Sequence, residues 1–133
     1  MGTKAEVVYT ETTENVMVSV WPAYVPEKSS PEKKYYFFAY KVKIKNNNTV
    51  TVQLLNRHWV ITDGAGKIEE VRGPGVVGEQ PVINPGEDYE YVSACPLTTP
   101  TGNMRGRYTL IDINGKKFEV NIPLFFLRTE VFH

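Results

Sequence analysis

The sequence predicts an all-β protein, an antiparallel β-sandwich of about seven or eight strands. Polar and apolar residues alternate over several stretches, and turn residues separate those stretches at regular intervals. Apolar residues nowhere recur at helical spacing for three turns. The length of 133 residues fits one domain, which we place at residues 1–133.

The first predicted strand runs from Val16 to Trp21, where valines alternate with other residues. Pro22 and Pro26 are expected to end this strand, because proline cannot donate a backbone hydrogen bond to a neighbouring strand. The next segment, Glu27–Lys34, mixes serines and a proline with charged residues and is typical of an exposed loop.

The stretch Tyr35–Asn46 is the clearest strand, since aromatic and β-branched residues alternate with lysines. Lys41, Lys43 and Lys45 are expected on the solvent side, where their charges discourage pairing with other chains. The residues expected to face the core are Tyr36, Phe38, Tyr40, Val42 and Ile44.

A second long strand is predicted over Thr49–Asp63, after an asparagine turn at residues 46–48. Its apolar side changes near Leu54 and Leu55, which indicates either a β-bulge or a strand that crosses between sheets. A tight turn at residues 63–66 and a short strand over Lys67–Val71 follow.

The C-terminal half contains a strong turn signal at residues 84–86 and a predicted hairpin. The hairpin turns at residues 114–115, an Asn-Gly pair of the kind preferred in two-residue turns. Pro123 is expected to end its second arm, and the apolar residues beyond are expected to pack against the core. The strands predicted here are Asp88–Cys95, Met104–Ile113 and Lys116–Ile122, and the apolar tail contains Phe125, Phe126, Leu127 and Phe132.

The charge balance gives no general reason to bind nucleic acid or an anionic membrane, because 15 basic residues match 15 acidic ones. A single cysteine cannot form an internal disulfide and favours a reducing compartment. The N-terminus lacks the apolar run of a signal peptide, and no stretch approaches the ~18 apolar residues of a membrane span. We therefore expect a cytoplasmic protein without membrane insertion or nucleic-acid binding.

A glycine-rich segment holds Gly73, Gly75 and Gly78 in the G-x-G-x-x-G spacing of dinucleotide-binding proteins. Such a site requires a helix after the glycines, but Pro81 and Pro85 occupy that position and break helices. The sequence therefore disfavours a dinucleotide fingerprint and favours a structural role, in which glycines permit positive φ and prolines stiffen the loop.

A looser nest of backbone N–H groups that binds an anion stays open as an alternative for this segment. Arg72 would assist it, together with Arg105 or Arg107. Pro74 weakens the idea, because it removes one backbone N–H from the segment.

Catalytic and metal-binding patterns do not emerge from the sequence. His58, His133 and Cys95 have no metal-ligand spacing. A nucleophilic pair of Cys95 and His58 would lack a third residue to orient it. Cys95 fits better as a small buried apolar residue. We expect no catalytic residues, no metal site and no cofactor.

Several strings of residues match those of a known family, and on them the chain, from about Val16 to Leu127, resembles the ApaG family. The strings are Val52-Gln53-Leu54-Leu55, Arg57-His58-Trp59, Gly73-Pro74-Gly75-Val76-Val77-Gly78-Glu79-Gln80-Pro81, Thr99-Pro100-Thr101-Gly102-Asn103-Met104-Arg105-Gly106, and Ile122-Pro123 with Phe125 and Leu127.

The resemblance implies an immunoglobulin-like or fibronectin type III-like sandwich in a bacterial cytoplasmic protein. It also implies a genetic link to cobalt and magnesium efflux or resistance, and related domains of eukaryotic proteins, F-box proteins included, imply a role in protein–protein interaction. The family carries over no catalytic residue. Because the sequence lacks a cluster of metal ligands, any effect on metal transport would be indirect.

Three functions remain. We rank first a non-catalytic module that binds an unidentified protein. A weak binder of a small ligand, pyrophosphate or nucleotide through residues 73–78 comes second, and an enzyme comes last. A stiff loop loses little entropy on binding, which suits recognition. Its two valines either contact a partner or fold back to plug the sandwich. The sequence leaves a homodimer open. The candidate anion- or partner-binding loop comprises Arg72, Gly73, Gly75, Val76, Val77, Gly78, Glu79 and Gln80.

Overall fold

The computed structural model describes residues 7–129, and this part of the chain forms two antiparallel sheets packed face to face. Its strands are β1 (Tyr9–Thr13), β2 (Val16–Tyr24), β3 (Tyr36–Asn46), β4 (Val52–Asp63), β5 (Ile68–Pro74), β6 (Val82–Ile83), β7 (Asp88–Leu97), β8 (Thr101–Asp112) and β9 (Lys117–Arg128). Two short 3-10 turns, Pro26–Lys28 and Pro31–Lys33, lie in the predicted exposed loop.

The first sheet has the strand order β1-β2-β3-β7, and the second has the order β5-β4-β8-β9, with β6 pairing β4 beyond β5. All these pairings are antiparallel. The arrangement confirms the predicted immunoglobulin-like or fibronectin type III-like antiparallel sandwich. β1 and β6 were not predicted, because β1 is only half-buried and β6 has two residues.

The core lies between the sheets. It is formed by every second residue along each strand, whose side chain faces inward. The alternation predicted for β3 is confirmed, since Phe38, Val42 and Ile44 are at most 1% exposed. Lys41 is exposed, and Lys43 and Lys45 are partly exposed on the opposite face. Aromatic rings from both sheets meet in the centre, where Tyr40, Trp59, Tyr108 and Phe125 pack against one another.

The change of apolar side in β4 is a β-bulge, because its register against β8 shifts between Leu54 and Asn56. The strand stays in the second sheet throughout, so the alternative of a crossing between sheets is wrong. The bulge lets both Leu54 and Trp59 face the core although five positions separate them.

β2 continues through Pro22 to Tyr24, so the prediction that Pro22 ends the strand is wrong. Asn47 donates its N–H to the carbonyl of Asn15, which fixes the phase of the β2–β3 ladder. Because ladder bonds alternate along an antiparallel strand, the odd-numbered residues of β2 bond to β3 and the nitrogen of Pro22 points away from it. β1 pairs only as far as Val20, so no strand there requires the missing N–H.

β9 likewise continues through Pro123 to Arg128, and the prediction that Pro123 ends it is wrong. The register between β8 and β9 shifts between Met104 and Gly106, so Pro123 and its neighbour Leu124 lie at a bulge opposite Arg105. Edge strands and bulges are the places where a sheet tolerates proline.

The prediction that the apolar tail packs against the core is confirmed for Phe125 and Leu127, which are fully buried. It is wrong for Phe126, which is 38% exposed beside the guanidinium of Arg128. Phe132 lies outside the described residues. Residues 7–129 contain no helix long and apolar enough to cross a membrane.

Candidate functional site

The predicted glycine-rich loop is shorter than expected, because Arg72, Gly73 and Pro74 belong to β5. Residues Val76–Glu79 form a two-residue hairpin turn. The N–H of Val76 donates to the carbonyl of Glu79 over 2.8 Å, and the N–H of Glu79 donates to the carbonyl of Val76 over 2.9 Å. Val77 and Gly78 form the tip with φ of 43° and 82°. Positive φ at both central residues is typical of a type I′ turn, for which Asn-Gly is the preferred pair.

The base of this turn is fastened to β4 by several hydrogen bonds. Gly75 donates its N–H to the carbonyl of Leu55, and the Gln80 side chain donates to that carbonyl too. Arg57 Nη1 donates to the carbonyls of Pro74 and Gly75 over 2.8 and 2.9 Å. A side chain at Gly75 would collide with the carbonyl of Glu79, so this glycine is required by close packing as well as by its φ of 62°. The turn is therefore held rigidly against the sheet.

The two valines of the segment have opposite environments. Val76 is 1% exposed and belongs to the hydrophobic core, as expected if it folds back to plug the sandwich. Val77 is 54% exposed at the tip, and Val82 in β6 is 59% exposed. Only Val77 of the pair is available for contact with another molecule.

The backbone donors of this segment are largely used within the protein. The N–H groups of Gly75, Val76 and Glu79 all donate to backbone carbonyls, and Pro74 has none. These groups therefore form no cradle for an anion, and the nest suggested by the sequence is reduced to the tip itself.

A shallow cleft of about 610 Å³ lies beside the turn, on the outer face of the second sheet. Pairing across the sheet places Arg72 of β5, His58 of β4 and Arg107 of β8 in one row. The lining residues are Asn56, Arg57, His58, Arg72, Gly73, Pro74, Arg107, Thr109 and Glu119. Of the predicted assisting arginines, Arg72 and Arg107 reach this cleft and Arg105 does not line it.

Carboxylates accompany the basic groups of the cleft. Glu70 Oε1 lies 2.8 Å from His58 Nε2 and 3.3 Å from Arg72 Nη2, and Arg107 Nη1 lies 3.4 Å from Glu119. The hydrogen bond from His58, followed by the charge of Arg72, lowers the pKa of Glu70. The arginine side chains are 73% and 51% exposed, so water screens these pairs and each contributes little to stability.

The structure separates the two residues of the nucleophilic pair that the sequence already disfavoured. His58 lines the outer cleft, whereas Cys95 is buried in the core. Burial raises the pKa of the Cys95 thiol to about 11, which disfavours the reactive thiolate. Within residues 7–129 no group of three or more His, Cys, Asp or Glu side chains could hold a metal ion. His133 lies outside that range.

Sequence reasoning missed the role of Arg57 as the anchor of the turn and the alignment of His58 with the two arginines. The anchor depends on Gly73, which pairs directly with Arg57 and leaves room for its guanidinium. The string Arg57-His58 beside a tryptophan was visible, but the register that joins three distant strands was not.

Comparison with known proteins places the chain. A family model described as the ApaG domain matches residues 26–112. The chain is 55% identical over 119 residues to Protein ApaG of Methylorubrum extorquens, covering 90% of this chain and 92% of that protein. It is 58% identical over 104 residues to Protein ApaG of Bdellovibrio bacteriovorus, covering 78% of this chain and 82% of that protein.

A solved structure agrees with these sequence relatives. The crystal structure of the ApaA protein from Bordetella pertussis superposes with a TM-score of 0.83 at 52% identity and covers 85% of this chain and 92% of that chain. Fold, family model and relatives point the same way, and the chain belongs to the ApaG family.

Proposed function

We propose that this protein is a non-catalytic binding module that recognises a protein partner through the turn Val76–Glu79. The observation that carries the proposal is the conformation of Val77 at the tip. A β-branched residue at positive φ is strained, at a cost of about 1–3 kcal/mol. Asparagine or glycine would fit the same turn without that strain.

Burial of the Val77 side chain does not offset this strain, because the side chain is 54% exposed. An exposed apolar side chain in an unfavourable conformation is instead well suited to contact a partner. The hydrogen bonds from Arg57 and Gln80 hold the turn in place. Because the turn is already ordered, it loses little conformational entropy when it binds. Val82, five residues further along the chain in β6, is exposed as well.

The proposal covers the biological setting that the family implies. The protein acts in the cytoplasm, and its contribution to cobalt or magnesium resistance is indirect and exerted through the partner. No catalytic step is assigned to it. Two observations support a non-catalytic role. Cys95 is buried with a raised thiol pKa, and His58 lies apart from it, hydrogen-bonded to the carboxylate of Glu70.

Affinity capture from native cytoplasm tests the proposal, with metal content measured on the same samples. Three baits are compared: the wild-type protein, Val77→Asn, and Val92→Asn as the matched control. Val92 is 62% exposed but lies on β7 of the other sheet. We expect wild type and Val92→Asn to capture the same protein without stoichiometric metal, and Val77→Asn to lose it. Equal capture by all three baits would contradict recognition of the partner through the turn.

A second candidate function is weak binding of a phosphate-bearing small molecule in the cleft. The observation in its favour is the row of Arg72, His58 and Arg107, which presents donors on one face. Glu70 and Glu119 compete for these donors, so a titration with pyrophosphate or a dinucleoside polyphosphate should give a dissociation constant near the millimolar range. Arg107→Gln should abolish that binding, and a dissociation constant below about 1 μM in the wild type would make this function the primary one.

A further inference from the structure

The outer side of β5 is a free sheet edge, since within residues 7–129 this strand pairs only with β4. Two hydrogen bonds fix the phase of that pairing: Gly75 donates its N–H to Leu55, and Asp63 donates its N–H to Lys67. Because bonded and non-bonded pairs alternate in an antiparallel ladder, residues 69, 71 and 73 bond to β4. The N–H and C=O groups of Ile68, Glu70 and Arg72 therefore point to the free side.

We propose that a second copy of this chain pairs with this edge, antiparallel and about a two-fold axis at Val71. In that register, Glu70 of each copy lies opposite Arg72 of the other, as a bonded pair that exchanges both backbone hydrogen bonds. The partners in each pair have opposite charge, and opposite-charge cross-strand pairs stabilise a sheet. A two-fold interface requires such a self-complementary pattern.

The apolar residues of the edge fit the same register. Ile68 is 59% exposed and would lie opposite Pro74 of the second copy, a pair that forms at most one backbone hydrogen bond because proline has no N–H. Val71 already packs against the core with part of its surface and would meet its own counterpart at the axis. Pairing would thus cover an isoleucine that the isolated chain leaves in water.

The edges formed by β7, β1 and β9 lack this complementarity. Asn46 donates its N–H to Glu87, so the free side of β7 carries Asp88, Glu90 and Val92. Self-pairing there would bring together acidic residues without a basic partner. β1 and β9 face each other, and Asn121 of β9 donates its N–H to the Thr13 hydroxyl of β1. Among these edges, β5 is the one built to pair with a copy of itself.

The dimer would join the two clefts, because Arg72 lies in the row with His58 and Glu70 contacts both side chains. Arg72 of the second copy would approach the Glu70 carboxylate that now accepts from His58. The inference is independent of the partner proposed for Val77, and the two are measured separately.

Charge exchange across the axis tests the dimer by sedimentation velocity over a range of protein concentrations. We expect a concentration-dependent dimer for the wild type. Glu70→Arg would place two arginines in each pair, and Arg72→Glu would place two glutamates, so each variant alone should dimerise at least about tenfold more weakly. Mixing the two variants restores opposite charges in both pairs and should restore the dimer. The double variant Glu70→Arg/Arg72→Glu should dimerise alone for the same reason.

Glu90→Arg on the β7 edge is the matched control and should leave the dimer unchanged. Circular dichroism and melting temperature show whether each variant folds, and the mixing result is independent of small losses in stability. The inference is overturned if the wild type stays monomeric up to about 1 mM, or if the single variants dimerise as well as the wild type.

Discussion

Replacement of Val76 by aspartate tests whether the glycine-rich turn is anchored in the core. Loss of a fully buried valine costs about 1.5–3 kcal/mol, and Val76 is 1% exposed. The introduced carboxyl would have to be protonated in apolar surroundings. At pH 7, about three pH units above its usual pKa of 3.9, this adds about 4 kcal/mol.

Local opening of the turn would limit this total, so we expect the free energy of unfolding to fall by about 3–6 kcal/mol. For a chain of this length that corresponds to a decrease in melting temperature of about 10–25 °C. Chemical denaturation followed by tryptophan fluorescence measures the change. Folding raises the pKa of the introduced carboxyl, so its penalty should be small near pH 4 and should grow as the pH rises towards 7.

The neighbouring variant Val77→Asp is the control, because it carries the same charge one residue away. Val77 is 54% exposed at a φ of 43°, where aspartate is better tolerated than valine. We expect its stability to be unchanged or to rise, by at most the ~1–3 kcal/mol of strain that valine carries at this position. Equal stability of the two variants would refute the placement of Val76 in the core and with it the anchored turn.

Further predictions concern the core and its titratable groups. Phe38→Ala should cost about 3–5 kcal/mol in chemical denaturation, since the ring is 1% exposed; a cost below about 1 kcal/mol would contradict its burial. Tyr108→Phe should cost about 1–3 kcal/mol because it leaves the buried Tyr91 hydroxyl without its partner, and adding Tyr91→Phe should recover part of that loss. Alkylation of native Cys95 at pH 8 should be about 100-fold slower than in the unfolded chain, because burial raises the thiol pKa to about 11. The neutral thiol contributes stability that is complete below about pH 9 and is lost as the pH rises through about 11; alkylation at the unfolded rate would contradict it.

Residue alternation predicted the parts of the fold in which one face of a strand is buried. β3 is the clearest case, because each lysine lies between two core residues and a shift of one position would bury the charges. The bulge near Leu54 was also visible, since the change of apolar side has to be absorbed somewhere along the strand.

The sequence misled where the effect of a residue depends on its distant neighbours. Pro22 and Pro123 look like strand breakers, but each lies where no neighbouring strand requires its N–H. The candidate site could not be predicted for the same reason. The row of Arg72, His58 and Arg107 exists only through the register of β5, β4 and β8. Whether Val76 or Val77 faces the core depends on a turn conformation that composition alone does not specify.

The most direct test of the proposed function measures affinity and stability together for Val77→Asn. The captured protein, once purified, is titrated against the wild type and this variant by calorimetry, and both are melted in the same buffer. Relief of strain should raise the melting temperature of Val77→Asn, while loss of the valine contact should weaken binding at least about tenfold, or about 1.4 kcal/mol. An unchanged dissociation constant would contradict recognition through the turn.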